Sequence, residues 1–444
     1  MVRLTPTRML CAVVFLFTFI CFFYVSSSLY GERGYDLMIP RPPPDRTRPD
    51  TPRVPFGEEC APFSSGVMDD VTVVLKMGTA DVRSKLRGWL NRLGRCKTDI
   101  LLFSDRNEDV NSFRIVDALA HLRPEYRYKN PDFDVYDEIQ RTNGTTDKLA
   151  EGWRLDRYMF LPMMELTAHF RPETNWFIFV EIDTYVNWDN MYRFLDNFNP
   201  LTPYYFGSPV WPKKKAPFAH SGSGYVLSRG AMNKLVARGR MFAENHRFPG
   251  THLFGKDLTK ECCGDEVLAK VLKECGIKLN GYWPMFNAEK PSSIMFGREQ
   301  WCEAIVTLHH MHDSDYDDLR HWESARKDAS IPLTFEELFS YIEPTITDQK
   351  EDWSNLSGDV VHKAPHSAAK TVEACRAACG ADKKCLQFEH LGDTCRLSHV
   401  VRMGHDQYPE ENRRWVSGWM MERIGTFRET RSPCLGAHFV HPNP

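Results

Sequence analysis

The sequence predicts an α/β fold, with a mostly parallel central sheet flanked by helices and a small disulfide-rich α+β module behind it. Three observations carry the prediction. The run Trp176-Phe177-Ile178-Phe179-Val180 is continuously aromatic and β-branched, as a strand buried on both faces requires, and it stops abruptly at Glu181-Ile182-Asp183. Residues 71–105 read strand, helix, strand, the signature of parallel pairing. Four cysteines then gather between positions 375 and 395, where the texture of the chain changes.

Composition sets the frame. The 444 residues are 42% hydrophobic and 26% charged, enough for one large domain and a smaller one. A net charge of -3 with scattered basic residues gives no reason to expect a nucleic-acid-binding face. Of 13 cysteines, Cys11 and Cys21 lie in an apolar N-terminal run and the rest beyond it, which predicts an oxidising compartment.

That apolar run, residues 9–25, carries no charge and follows Arg3 and Arg8, so it predicts a signal-anchor with residues 1–8 cytoplasmic. A cleaved signal peptide is the alternative, against which stand the long bulky run and the absence of an Ala-x-Ala site. Residues 26–59, rich in proline and charge from Ile39 to Pro55, read as an extended stem. The chain beyond would be luminal, where the sequons at Asn143 and Asn355 are glycosylation candidates.

A folded domain is expected over 60–347. It opens with a strand at 71–77, a helix at 81–93 and a strand at 99–105. Thr79 and Asp105 follow the carboxyl ends of those strands, where nucleotides bind, and are candidate nucleotide contacts. Residues 148–170 read as mainly helical, with Pro162 marking a kink or join. Arg154 and Arg157, at i,i+3 spacing, share a face and could reach a diphosphate, although Asp156 could equally pair with a neighbouring arginine.

The central strand at 176–180 feeds the acidic triplet. Period-two alternation places Glu181 and Asp183 on one side and turns Ile182 back toward the core, so two carboxylates can converge on a divalent cation. A helix at 189–198 and a strand at 204–210 follow. His220-Ser221-Gly222-Ser223-Gly224 then offers two glycines that allow a backbone to approach a ligand closely. Cys262 to Cys275 reads as an amphipathic helix with Asp265 and Glu266 in its first turn, where carboxylates suit the helix dipole and either could act as a general base. A strand at 304–308 ends at His309 and His310; adjacent residues of a strand point to opposite faces, so at most one of the pair is expected to meet the metal.

Read in order across roughly residues 60–345, WFIFVEIDTYV, YYFGSPV, HSGSGYVLS, GDEVLAKVLKECGI and AIVTLHHM resemble the family 31 glycosyltransferases, especially the core 1 β1,3-galactosyltransferase and Fringe branch. The resemblance implies a GT-A (Rossmann-like) fold, a single-pass type II enzyme of the Golgi or endoplasmic reticulum, a UDP-sugar donor, a glycan or glycoprotein acceptor, Mn²⁺ and inversion at the anomeric carbon. It puts Glu181 and Asp183 on the metal motif, usually three consecutive aspartates, from which Glu181 and Ile182 depart. His309 or His310 matches a further ligand. Glu266 matches the catalytic base, with Asp265 in reserve, and Ser221, Gly222 and Gly224 match the nucleotide-sugar cleft. The expected activity is transfer of a hexose, galactose foremost, in β1,3 linkage. The alternative is a degenerate carbohydrate- or protein-binding protein.

Residues 354–424 form the second expected unit, with 425–444 as a tail. Cys375 and Cys379 share a helix face, and Cys385 and Cys395 lie in short strands. Nested bridges, Cys379 to Cys385 and Cys375 to Cys395, are the preferred of three pairings, with a zinc site disfavoured by the spacing. The segment is similar to PAN/apple domains, which implies a protein or carbohydrate ligand.

Overall fold

The computed structural model describes residues 66–93, 99–122, 124–213, 215–246, 258–326, 331–409 and 413–442. The expected cytoplasmic segment, anchor and stem, with Cys60 and Cys96, lie outside the described residues. Among the described residues no helix is long and apolar enough to cross a membrane.

The chain opens with β1 (Val71–Lys76), α1 (Thr79–Ser84), α2 (Leu86–Leu93) and β2 (Ile100–Ser104). The helix expected over 81–93 is thus two, parted at Lys85, where φ falls to -121°. After β3 (Glu108–Val110) and β4 (Phe113–Asp117) come α3 (Phe133–Arg141), a 3-10 segment over Asp147–Leu155 and α4 (Asp156–Phe170). Pro162 lies inside α4 and does not end it. The join falls at Leu155, because the buried flank of α4 outweighs the one backbone hydrogen bond a proline removes.

Next are β5 (Trp176–Glu181), β6 (Tyr185–Val186), α5 (Trp188–Leu195), β7 (Tyr205–Gly207), β8 (Pro209–Val210), β9 (Phe218–Ala219), β10 (Tyr225–Ser228) and α6 (Arg229–His246). The first unit closes with α7 (Gly264–Glu274), β11 (Asn280–Gly281), β12 (Thr307–Leu308), α8 (Asp313–Ser324) and α9 (Phe335–Ile342).

The main sheet runs β11-β7-β10-β5-β1-β2-β4-β3. Around β1 it is parallel, to β5 on one side and β2 on the other. β5 is buried on both faces, as its composition demands. Trp176, Ile178 and Val180 enter one core with Met191 and Phe194, while Phe177 and Phe179 enter the opposite core with Phe160 and Val267. Two expected strands differ. Residues 204–210 break at Ser208, so that β7 joins the main sheet while β8 pairs β9. Of 304–308 only β12 is strand, and it pairs β6 outside the main sheet.

β10 runs antiparallel to β5, pairing Tyr225 with Phe179. Its beginning, rather than its end, therefore lies at the carboxyl edge of β5. That single reversal carries the glycine-rich turn to the acidic triplet.

The second unit begins earlier than expected, with β13 (Gln349–Glu351) and β14 (Trp353–Ser354). β15 (Val360–Lys363), α10 (Val372–Ala381), β16 (Gln387–Leu391), β17 (Thr394–Ser398), β18 (His405–Asp406) and β19 (Trp415–Trp419) follow. Its antiparallel sheet is ordered β13-β19-β16-β17-β15. Cys375–Cys395 and Cys379–Cys385 staple α10 and its exit turn to that sheet, the nested pattern preferred from the spacing.

The two units share a core. Phe296, Trp301 and Phe339 of the first meet Val401, Trp419 and Phe427 of the second. The last of these lies on α11 (Met421–Arg431), and Cys302–Cys434 adds a covalent tie. Residues 425–442 are thus packed structure rather than a free tail, and Ala304 N donates to His438 O at 2.8 Å.

Candidate active site

Asp183, His309 and His310 form a group whose ligand atoms all lie within 4.8 Å of one another. They arrive on two parts of the fold. Asp183 follows β5, and its carbonyl accepts from Met311 N at 3.1 Å, which fastens the strand end to the histidine segment. His309 follows β12, and its Nε2 lies 3.2 Å from Asp183 Oδ1. His310 Nδ1 lies 3.9 Å from Asp183 Oδ2.

The expectation that only one histidine could face the acid is corrected here. His310 has φ +58°, in the left-handed region, so the extended alternation ends and both rings fall on one side, with centroids 3.9 Å apart. One carboxylate and two imidazoles make a mixed oxygen and nitrogen donor set, of the kind that divalent transition-metal ions accept. Buried His309 Nδ1 has no hydrogen-bond partner among the described residues, so that nitrogen keeps an open valence.

Glu181, expected as a second carboxylate ligand, is outside this group. Its carboxylate is held by Lys76 Nζ at 3.1 Å and by the Ser221 hydroxyl at 2.6 Å. Burial opposes its charge, but Lys76 and Ser221 outweigh that and keep its pKa below the ordinary range. Ile182 packs against the core, as the alternation predicts.

The glycine-rich turn fits between these parts. Ser221–Ser223 is a 3-10 turn, and the Thr184 hydroxyl donates to Gly222 O at 2.9 Å. A Cβ added at Gly222 would sit 2.2 Å from His309 Cε1, so glycine is what admits the imidazole. Gly224, at φ +72°, turns the chain into β10.

Asp265 and Glu266 occupy the first turn of α7 but different surroundings. Glu266 is bound by Lys215 at 2.8 Å and Lys270 at 2.9 Å. Burial opposes its charge, yet these partners hold its pKa down to about 2. Asp265 faces the turn, where Oδ2 accepts from Ser221 N at 3.4 Å and Oδ1 has no partner among the described residues. Burial, reinforced by the charge of Asp156, pushes its pKa up to about 8. These surroundings favour Asp265 as proton acceptor, where the sequence-based order put Glu266 first and Asp265 in reserve. A carboxylate clamped by two ammonium groups is a poor proton acceptor, whereas an unpaired one with a raised pKa is a good one.

Lys76, which sequence reasoning passed over, and Asp156, which it weighed only as a partner for a neighbouring arginine, anchor this arrangement. Lys76, the last residue of β1, is hydrogen-bonded to Asp156 as well as to Glu181. Asp156 in turn accepts from Gly264 N at 3.0 Å, tying α4 to the start of α7. The only signal for Lys76 was its place at a strand's carboxyl end.

The other expected contacts divide. Thr79 and Asp105 are both buried and bond to each other, Thr79 N to Asp105 Oδ1 at 3.0 Å, across the ends of β1 and β2. Arg154 and Arg157 do not share a helix face, since a 3-10 segment ends between them. Arg154 pairs with Glu151, and Arg157 donates one N–H to Thr259 O. Asn143 is exposed. Asn355 is fully buried, and its Nδ2 donates to Phe388 O at 3.0 Å. The fold leaves no room for a glycan there.

Comparison with known proteins agrees with this geometry. Residues 138–253 match the family described as Fringe-like, a span from α3 past β10 that includes Asp183 and Ser221 to Gly224. A stretch of 68 residues, 15% of this chain, is 40% identical to the glycoprotein-N-acetylgalactosamine 3-beta-galactosyltransferase 1 of Xenopus laevis. The match spans 19% of that relative's length. By its matched segment and by the ordered motifs the fold brings together, the chain is similar to the Fringe-like glycosyltransferases.

Proposed function

We propose that the protein is an inverting glycosyltransferase that moves a hexose from a UDP-sugar to a hydroxyl of a glycan or glycoprotein, with galactose and a β1,3 linkage favoured. The observation that carries the proposal is the meeting of Asp183, His309 and His310 beside an unpaired buried carboxylate, Asp265. The partial match to a galactosyltransferase supports the choice of sugar. The apolar residues 9–25 support a type II anchor in the Golgi or endoplasmic reticulum, with the catalytic unit luminal.

Asp183, His309 and His310 would hold the divalent cation, Mn²⁺ being the ion that the resemblance to the family 31 glycosyltransferases implies. When bound, such an ion supplies Lewis-acid neutralisation of the charge that builds on the departing diphosphate. Asp265 accepts the proton of the acceptor hydroxyl as that oxygen attacks the anomeric carbon from the face opposite the leaving group, which inverts configuration. Ser221 fixes the neighbourhood by donating its hydroxyl to Glu181 and its N–H to Asp265. Lys76 balances the buried acids Asp156 and Glu181.

A screen of UDP-sugars against wild type and Asp183→Ala, following UDP release with and without Mn²⁺, tests the reading. Release by wild type that needs the metal and is lost in the variant is expected. Equal release from both would remove Asp183 from the reaction, and no release from any donor would favour a degenerate, sugar-binding protein.

A further inference from the structure

A cleft of about 430 Å³ opens beside the metal-ligand group and reaches the C-terminal unit. It lies within the size range of small-ligand sites, roughly 300–1,000 Å³. His220 lines it, its ring 5.4 Å from that of His309. Trp211 and Trp283 give it aromatic walls, and Trp211 is 56% exposed. Glu289 and Gln300 add planar polar groups.

The remaining wall comes from the other unit: Arg402 lines the same cleft. Its backbone is fixed from both sides. Next to it, Val401 and Phe296 exchange main-chain hydrogen bonds of 2.9 and 3.0 Å, and Gly404 N donates to Ser292 O at 2.7 Å. Arg402 N donates to Gln387 Oε1 at 2.7 Å, and its carbonyl accepts from Trp419 Nε1 at 3.0 Å. The guanidinium, by contrast, has a donor to spare. Its Nε has no partner among the described residues, and desolvation lowers its pKa despite the nearby charges of Glu289 and Asp359. An arginine held by its backbone, with a donor unspent, is placed for something that enters the cleft.

We propose that this cleft is the acceptor subsite for a neutral pyranoside, and that Arg402 makes the C-terminal unit a determinant of acceptor specificity. The proposal rests on the transferase reading above. Aromatic rings match the apolar C–H faces of a sugar, and planar amide, carboxylate and guanidinium groups match its paired hydroxyls. Neutrality follows from the charges on the walls. The Arg402 cation is balanced by Glu289, which lines the same cleft.

The test uses the full-length protein and reads binding rather than turnover. Tryptophan fluorescence is titrated with methyl β-glucoside, methyl β-galactoside and methyl β-glucuronide, for wild type, Arg402→Ala, Arg402→Lys and Trp211→Ala. Thermal melting checks that each variant folds, and the exposed Trp211 gives a second variant if Arg402→Ala does not. The expected result is saturable binding of a neutral glycoside that weakens at least tenfold in Arg402→Ala and in Trp211→Ala, with part of the loss restored by lysine. Unchanged binding in folded Arg402→Ala overturns the proposal, as does no binding of either neutral glycoside or a tenfold preference for the glucuronide. UDP release from UDP-galactose, measured separately in wild type, reports on the transferase reading, so its failure is distinguishable from failure of the subsite.

Discussion

Gly222 and His309 share one volume: the position of a Cβ on the glycine lies 2.2 Å from His309 Cε1 and 2.3 Å from Nε2. A side chain there and the imidazole in its observed place exclude each other. The glycine-rich turn therefore sets where the late histidine can stand, across 87 residues of chain, and with it the spacing to Asp183.

Gly222→Ala is the smallest change that tests this. A methyl group cannot be accommodated without moving the ring, and loss of one of three ligands weakens a divalent site by tens- to hundreds-fold, on the scale of about 10–100-fold seen even for partners of metal ligands. Titration calorimetry with Mn²⁺ should show that loss, with the far-ultraviolet spectrum unchanged.

Asp265 makes a prediction with a worked sign. Its pKa is raised in the folded state by burial and by Asp156, so near neutrality it holds its proton, and the basic form appears as pH rises through about 8. The rate of transfer should climb on that limb, and Asp265→Asn should abolish the limb with a fall of about 10²–10⁴-fold. Stability moves the other way. A carboxyl whose folded pKa is raised favours the fold at pH below its unfolded value, and that contribution is lost as pH rises toward the folded value. The melting temperature of Asp265→Asn relative to wild type should therefore increase between pH 4 and pH 8, in a buffer series at constant ionic strength.

Glu266→Gln should behave differently from Asp265→Asn. Its carboxylate serves Lys215 and Lys270 rather than a substrate proton, so the pH profile should keep its shape while stability falls. A rate profile that loses its alkaline limb in Glu266→Gln and keeps it in Asp265→Asn would restore the order expected from sequence.

Lys76→Met leaves Asp156 and Glu181 without their cation. Removing one partner from a largely buried ion pair costs about 3–5 kcal/mol, because the other charge stays desolvated. The urea midpoint should fall accordingly, and Lys76→Arg should recover part of the loss.

Much of this was legible in the chain, for identifiable reasons. β5 could be read because a strand buried on both faces must be apolar throughout, so the acids that end it mark the sheet's carboxyl edge. The nested cystines could be read because Cys375 and Cys379 share a helix face. What escaped depends on distant residues or on one dihedral angle. Nothing in His309-His310 announces that φ at 310 is positive, which is what turns both rings to Asp183. The ranking of Asp265 against Glu266 hinges on Lys215, brought in from 51 positions away. Lys76 meets Asp156 across 80 positions, and no local pattern links them.

The sequons at Asn143 and Asn355 look alike as triplets, but the fold treats them in opposite ways. Asn143 stands exposed at a turn, whereas Asn355 is buried in the C-terminal unit. There its Nδ2 donates to Phe388 O at 3.0 Å, and its Oδ1 accepts from the Ser357 hydroxyl at 2.8 Å. A glycan on that nitrogen would displace these contacts and part the chain from β16. Full-length protein expressed in the secretory pathway and treated with an endoglycosidase should therefore shift in mass by one glycan, and Asn143→Gln should abolish the shift while Asn355→Gln does not alter it. Asn355→Ala should instead act on stability, leaving buried carbonyls without donors at a cost of about 1–3 kcal/mol, read as a lower thermal midpoint. A glycopeptide recovered at Asn355 from folded protein would show that β14 and β16 are not joined as described.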